Sequence, residues 1–177
     1  MLITAATAAD VAEITAIYGF HVETGVGTYE LVPPAEAEMI ARFARVLSSG
    51  GVWLVARPQA GGALLGYAYA AQFRDRAAYR FAAEDSIYIA DGARGRGVGK
   101  ALLTALIAAA EAAGFRQLIA VIGGPEPASI ALHAALGFDH AGLMRGTGRK
   151  FGRWLDTVTM QRALGAGDGE APPFEPL

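Results

Sequence analysis

Apolar positions along this chain recur with two periods, and the switches between them mark its elements. Leu2–Ala6 reads as a short strand, and Thr7 followed by Asp10 is the signature of a helix start. Val11, Ile14 and Tyr18 then recur at helical spacing. The glycines, threonines and prolines of Thr24–Pro34 predict a loop. Met39, Ile40, Phe43 and Leu47 predict a second helix over Ala35–Leu47, ended by Ser48-Ser49-Gly50-Gly51. Val52–Ala56 and Ala63–Ala71 are strand-like, with a hairpin turn at Gly61-Gly62. Phe73–Ala83 reads as an exposed loop and Asp85–Ala90 as a strand. Val98–Ala113 is the clearest helix: Leu102, Leu103, Leu106, Ile107 and Ala110 share one face, and Gly114 sits where a C-cap belongs. A strand over Leu118–Ile122, a short helix over Ala128–Leu136 ended by Gly137, and strands near Ala141–Gly146 and Trp154–Arg162 complete the pattern. Residues 1–165 are expected to form one domain, and residues 166–177 a tail rich in Gly, Pro and acid. Strands flanking a strand–helix–strand–helix centre imply an α/β fold with a central mixed sheet flanked by helices.

Composition narrows what such a domain can do. The 177 residues suffice for one domain with a real core. Apolar residues make up 53% and charged residues 18%, which excludes a disordered chain. A net charge of −2 gives no broad electrostatic reason to bind nucleic acid. The chain has no cysteine, so disulfides, thiolate metal sites and a cysteine nucleophile are excluded, and no metal site is expected. The apolar start carries Asp10 and Glu13 and no basic residue, unlike a secretory signal. No apolar stretch reaches the roughly 18–20 residues of a membrane span. The expectation is a cytoplasmic protein.

The densest chemistry lies in Asp91-Gly-Ala-Arg-Gly-Arg-Gly-Val-Gly-Lys100, between an expected strand and the clearest helix. The first turn of a helix leaves its N–H groups unpaired and carries partial positive charge, which suits an anion. Gly95, Gly97 and Gly99 let a ligand approach the backbone, and Arg94, Arg96 and Lys100 add full charges. A P-loop would need glycine where Arg94 stands and a hydroxyl where Ala101 stands. In a dinucleotide fingerprint the third glycine would fall one residue later. R-x-x-G-x-G is matched, by Arg94, Gly97 and Gly99.

That turn resembles the acetyl-CoA motif of the GNAT acyltransferase superfamily. GYAYA (66–70), AEDSIYI (83–89), RGRGVGKALL (94–103), AVIGGPEPASIALHAALGF (120–138) and GRKFGRWLD (148–156) narrow the resemblance to the phosphinothricin acetyltransferase family. The resemblance implies a GNAT-type single domain and acetyl-CoA as co-substrate. It implies a pyrophosphate on the amides of Arg94–Lys100, Val98 among them, and a pantetheine arm along Ile87, Tyr88 and Ile89. Mid-strand N–H groups there could polarise the thioester carbonyl. It implies Glu84, opening the strand that leads into the turn, as general base, where the bare sequence favours a solvated strand-end acid. It implies His133 in protonating the leaving thiolate or aiding deprotonation, although a lone histidine on such a helix is usually structural. At Glu126 relatives carry an asparagine that contacts the pantetheine amides. An ionised glutamate cannot donate, so Ser129 is the candidate substitute. Arg74, Arg76 and Tyr79 are implied on the acceptor, since arginine suits carboxylate or phosphinate, and Tyr29 is implied as a wall of the same pocket. Phe151 and Trp154 read as core or interface residues, and a homodimer is expected from the resemblance alone.

The implied activity is acetylation of the α-amine of a small amino-acid-like molecule: phosphinothricin, methionine sulfoximine or methionine sulfone. With no cysteine to carry an acyl group, it would proceed by direct attack in a ternary complex. The alternatives are a GNAT enzyme acting on a protein N-terminus, a lysine or a polyamine, and a non-catalytic acyl-CoA-binding module. The basic loop at 74–76 argues against the first. Glu84, which a binding module could dispense with, argues against the second.

Overall fold

The computed structural model describes residues 1–124 and 126–172. Seven strands form one sheet: β1 (Leu2–Ala5), β2 (Val52–Arg57), β3 (Gly66–Gln72), β4 (Ala82–Ile89), β5 (Gln117–Gly123), β6 (Asp139–Lys150) and β7 (Arg153–Ala163). Their order is β1-β2-β3-β4-β5-β7-β6. All pairs are antiparallel except β4 with β5. That parallel pair needs a crossover, which α3 (Val98–Ala112) supplies. The other helices are α1 (Val11–Thr24), α2 (Glu36–Ser48) and α4 (Pro127–Ala135).

Strand alternation divides the core in two. Leu54, Ala56, Ala68, Ala70, Ala83, Leu118, Ala120 and Met160 face α3, whose Leu102, Leu103 and Leu106 are fully buried. Val55, Trp53, Tyr67, Tyr69 and Tyr88 face the side where α1 and α2 lie, against Ile14, Tyr18, Val22 and Phe43. The α3 side is lined with alanines because a helix lies close on the sheet there. The other side is aromatic, with Trp53 stacked on Tyr69 at 4.5 Å between centroids.

Three expectations are corrected. β4 begins at Ala82, inside the stretch read as loop, so Glu84 is an interior strand residue and does not open the strand. Ala82 and Ala83 have weak strand propensity, but pairing with Gln117 and Gln72 overrides it. β6 runs well beyond the expected Ala141–Gly146, its glycines absorbed in register shifts between His140 and Gly142 and between Met144 and Gly148. Phe151 and Trp154 are not core residues: they are 57% and 67% exposed at the tip of the β6–β7 hairpin. Residues 173–177 of the expected tail lie outside the described residues.

Candidate active site

The sheet opens at one place. β4 and β5 pair from Ala82↔Gln117 to Asp85↔Ala120 and no further, although β4 continues to Ile89 and β5 to Gly123. β5 follows β7 instead, along its whole length. Ala90 N–H donates to the Leu65 carbonyl on the β3 side. Peptide groups alternate along a strand, so Ile87 and Ile89 turn theirs toward the edge that β5 has left. The Ile89 carbonyl accepts from His21 Nε2 at 2.9 Å, which fixes that ring nitrogen as the donor. Burial, with Arg94 nearby, holds the His21 pKa below its ordinary value. The resulting cleft of about 810 Å³ runs from the glycine turn to Glu84.

The turn closes one end. Gly97 is the N-cap of α3 in left-handed conformation, with φ of 78°, and Ala101 N–H makes the helix's first bond back to it. The N–H groups of Val98, Gly99 and Lys100 therefore have no intrahelical acceptor. A Cβ at Gly95 or Gly97 would meet nothing within 4 Å, so the space over this backbone is open. Arg94, Gly95, Gly97, Val98 and Gly99 line the cleft. Arg94 lies over the Phe20 ring and 3.8 Å from Asp91, and Arg96 and Lys100 are exposed just outside. An open amide nest, flanking cations and a bare strand edge fit a long molecule with a diphosphate at one end and amides along its arm.

Glu84, Ser86 and Tyr88 face the α1 side of β4, while Asp85 faces the α4 side. The Glu84 side chain is 35% exposed and lies 3.7 Å from Arg74. Burial pushes its pKa up, against the pull of Arg74. On the other wall His133 and Asp85 are both buried. His133 Nδ1 lies 2.7 Å from the Ser129 carbonyl and Nε2 lies 3.1 Å from Asp85 Oδ1. Burial disfavours the charged ring, yet the Asp85 bond and charge outweigh it, and the His133 pKa is raised. Burial likewise lifts the Asp85 carboxyl, against His133. Ser129 and Glu126, at the start of α4, also line the cleft.

Tyr29 lines the same cleft, held in place by its own hydroxyl. Tyr29 Oη donates to the Asp156 carbonyl at 2.9 Å or shares a proton with Thr157 Oγ1 at 2.7 Å, and accepts from Gly124 N–H at 3.3 Å. Its ring fills space that a Cβ at Gly123 or Gly148 would occupy. Lys150 Nζ, buried, donates to the Thr28 carbonyl at 3.0 Å. Tyr18 Oη bonds Thr28 Oγ1 and Glu30, and Arg42 holds Glu30 through both oxygens. The loop between α1 and α2 is thus strapped over the sheet.

The structure brings Tyr29, Glu84, Ile87, Tyr88, Ile89, Glu126, Ser129, His133 and most of the turn to one cleft. Arg76 and Tyr79 lie outside its lining, Tyr79 41% exposed and edge-on to Phe73. Arg74, stacked on Phe73, reaches it only through Glu84. Sequence reasoning missed Asp85, His21 and Lys150. Asp85 lies beside the glutamate already singled out, and the sequence alone carried no signal of which of the two faces inward. Among the described residues no group of three or more His, Asp or Glu could hold a metal ion, and no helix is long and apolar enough to cross a membrane.

A strand pair that parts beside an amide nest at a helix start suits a coenzyme with a diphosphate and an amide-bearing arm, as the resemblance implies, and comparison with known proteins identifies the family. The profile of the acetyltransferase (GNAT) domain family matches residues 3–159, and the chain belongs to that family. It is 54% identical to phosphinothricin N-acetyltransferase of Alcaligenes faecalis, over 92% of this chain and 82% of that protein. It is 40% identical to the L-methionine sulfoximine/L-methionine sulfone acetyltransferase of Pseudomonas aeruginosa, over 88% of this chain and 90% of that one. The crystal structure of a phosphinothricin acetyltransferase from Sinorhizobium meliloti in complex with AcCoA superposes with a TM-score of 0.93 at 55% identity, covering 97% of this chain and 92% of that one.

Proposed function

We propose that this protein moves the acetyl group of acetyl-CoA to the α-amine of a small amino-acid-like acceptor of the phosphinothricin, methionine sulfoximine or methionine sulfone class. The observation that carries the reading is the parting of β4 from β5 at Asp85, with the glycine turn at one end and Glu84 in the wall. The names of the relatives supply the acceptor class. The amides of residues 95–100 hold the diphosphate, and Arg94, Arg96 and Lys100 add charge around it. Ile87 offers its peptide N–H and C=O to the pantetheine arm, and Ser129 offers a hydroxyl at the α4 side. An ammonium has no lone pair, so Glu84 takes the acceptor's proton, its burial raising its pKa and so making it a stronger base than a free carboxylate. His133 gives a proton to the departing thiolate. Arg74, Arg76 and Tyr79 meet the acceptor's anionic group from the loop beyond the cleft lining, Arg74 beside Glu84, while Tyr29 bounds the pocket. The test is thiol release from acetyl-CoA across an amine panel. Turnover with one of these three acceptors supports the reading, and no acceptor-dependent release from any amine contradicts it.

A second acceptor class has one observation behind it. The ribosomal-protein-alanine N-acetyltransferase of Brucella melitensis is 36% identical with a TM-score of 0.88, so an N-terminal alanine peptide belongs in the panel. We also propose a cytoplasmic homodimer. Leu143, Met144, Phe151 and Trp154 expose apolar area along the edge strand β6 and its hairpin, which suits pairing with a second copy.

A further inference from the structure

Asp85 is the least expected residue of the site. Its side chain is 3% exposed, its Oδ1 bonds His133 Nε2, and its Oδ2 is buried with no hydrogen-bond partner. A buried carboxylate with one orphan oxygen is costly unless its remaining partner holds it, and here that partner is His133. The two ring contacts of His133 define what the pair carries. A carbonyl only accepts, and at 2.7 Å it is much closer to Nδ1 than the Ser129 hydroxyl at 3.4 Å, so Nδ1 bears a hydrogen toward the Ser129 carbonyl. With that tautomer fixed, the contact between Nε2 and Asp85 also needs a proton, on the ring or on the carboxyl. The pair therefore holds one proton more than a neutral imidazole and an ionised carboxylate would, and it does so on the cleft wall, with no net charge.

We propose that Asp85 is a positioning residue for acetyl transfer, keeping His133 Nε2 supplied with a proton that the ring delivers to the departing sulfur. This rests on the acetyltransferase reading. At 3.1 Å the Nε2 contact is longer than the about 2.7–2.9 Å usual for charge-assisted bonds, so that hydrogen is held without being locked. The ammonium's first proton passes through Glu84 to solvent and frees the amine. As the carbon–nitrogen bond then forms and the carbon–sulfur bond breaks, Glu84 removes the second proton from nitrogen and the sulfur leaves with its bonding pair. His133 gives the Nε2 proton to sulfur and becomes neutral, still donating from Nδ1 to Ser129. The pair, now one proton short beside a buried carboxylate, takes a proton from solvent before the next turnover. The charged groups acting on the pair are few: Asp85 interacts with His133, His133 with Asp85 and the Ser129 carbonyl, and Glu84, on the opposite face of β4, with Asp85.

Two readouts test this. Asn in place of Asp85 keeps the shape and can donate to Nε2, but removes the charge that favours a proton there. Asp85→Asn should lower kcat by about 100-fold at neutral pH, the scale of general-acid catalysis. It should leave the acetyl-CoA Kd within about twofold, as expected for a group that binds no ground-state substrate. An acid loses activity as pH rises through its pKa, so the alkaline limb of the variant should also move to lower pH. Loss of acetyl-CoA affinity in step with kcat, or an unmoved limb, would overturn the proposal. Nitrogen NMR of the His133 ring in the wild-type protein needs neither the variant nor turnover. A proton retained by the pair at pH 7 is expected, and a ring with a bare, unshared Nε2 overturns the inference. Failure of every amine in the panel would remove the activity reading while leaving this ring measurement intact.

Discussion

At the scale of single residues, β4 divides the chemistry by alternation. Glu84 turns toward the α1 side and its neighbour Asp85 toward α4, so adjacent carboxyls lie on opposite faces of the sheet. Burial raises the Glu84 pKa while Arg74 lowers it, and the two effects give signed expectations. A general base loses activity as pH falls through its pKa. Glu84→Gln should reduce kcat/KM at neutral pH by about 100-fold or more and be partly rescued at higher pH, where the acceptor is already deprotonated. Arg74→Ala, by releasing Glu84 from a neighbouring cation, should move the acidic limb of the same profile to higher pH. A limb that stays in place in both variants would remove Glu84 as the base. Asp85 was the residue hardest to read in the sequence, because nothing in AEDSIYI says which carboxyl faces which wall until the strand is paired.

At the scale of elements, the turn and the strap carry the site. Gly97 adopts φ of 78°, where a side chain costs about 1–2 kcal/mol, and the space its Cβ would enter is the cleft itself. Gly97→Val should weaken acetyl-CoA binding by at least about tenfold, read by calorimetry, with the melting temperature changed by only a few degrees. The Tyr29 hydroxyl ties the α1–α2 loop to β7 through Asp156 and Thr157. Tyr29→Phe should cost about 1–2 kcal/mol in denaturant unfolding and raise the acceptor KM more than the acetyl-CoA KM. The helices were legible because each has an apolar face and a local stop, as at Gly114 and Gly137. The start of β4 and the length of β6 were not, because Ala82-Ala83 and Gly142, Gly146 and Gly148 say nothing locally about strand. Their strand character comes from partners in other strands, Ala82 from Gln117, Gly142 from Thr159 and Gly148 from Leu155.

At the scale of the molecule, one parallel pair inside an otherwise antiparallel sheet creates the slot. The crossover through α3 sets β5 beside β4 at its start, and β7 then draws β5 away. The order of elements predicted a mixed sheet, but not that the parallel pair would open. That depends on where four registers end. Likewise Phe151 and Trp154 carried no local sign of their exposure; at the hairpin tip they lie beyond the reach of either core. Trp154→Glu should convert the proposed homodimer to a monomer in sedimentation velocity, and a wild-type chain that sediments as a monomer would contradict that proposal.

The central claim is that the opened edge of β4 and the start of α3 together receive coenzyme A. A crystal structure of the protein grown with acetyl-CoA tests it most directly. The account predicts the diphosphate within hydrogen-bond distance of the N–H groups of residues 95–100, and the pantetheine arm paired with Ile87. Coenzyme A bound anywhere else, or a β4 edge closed against other protein atoms, would contradict it.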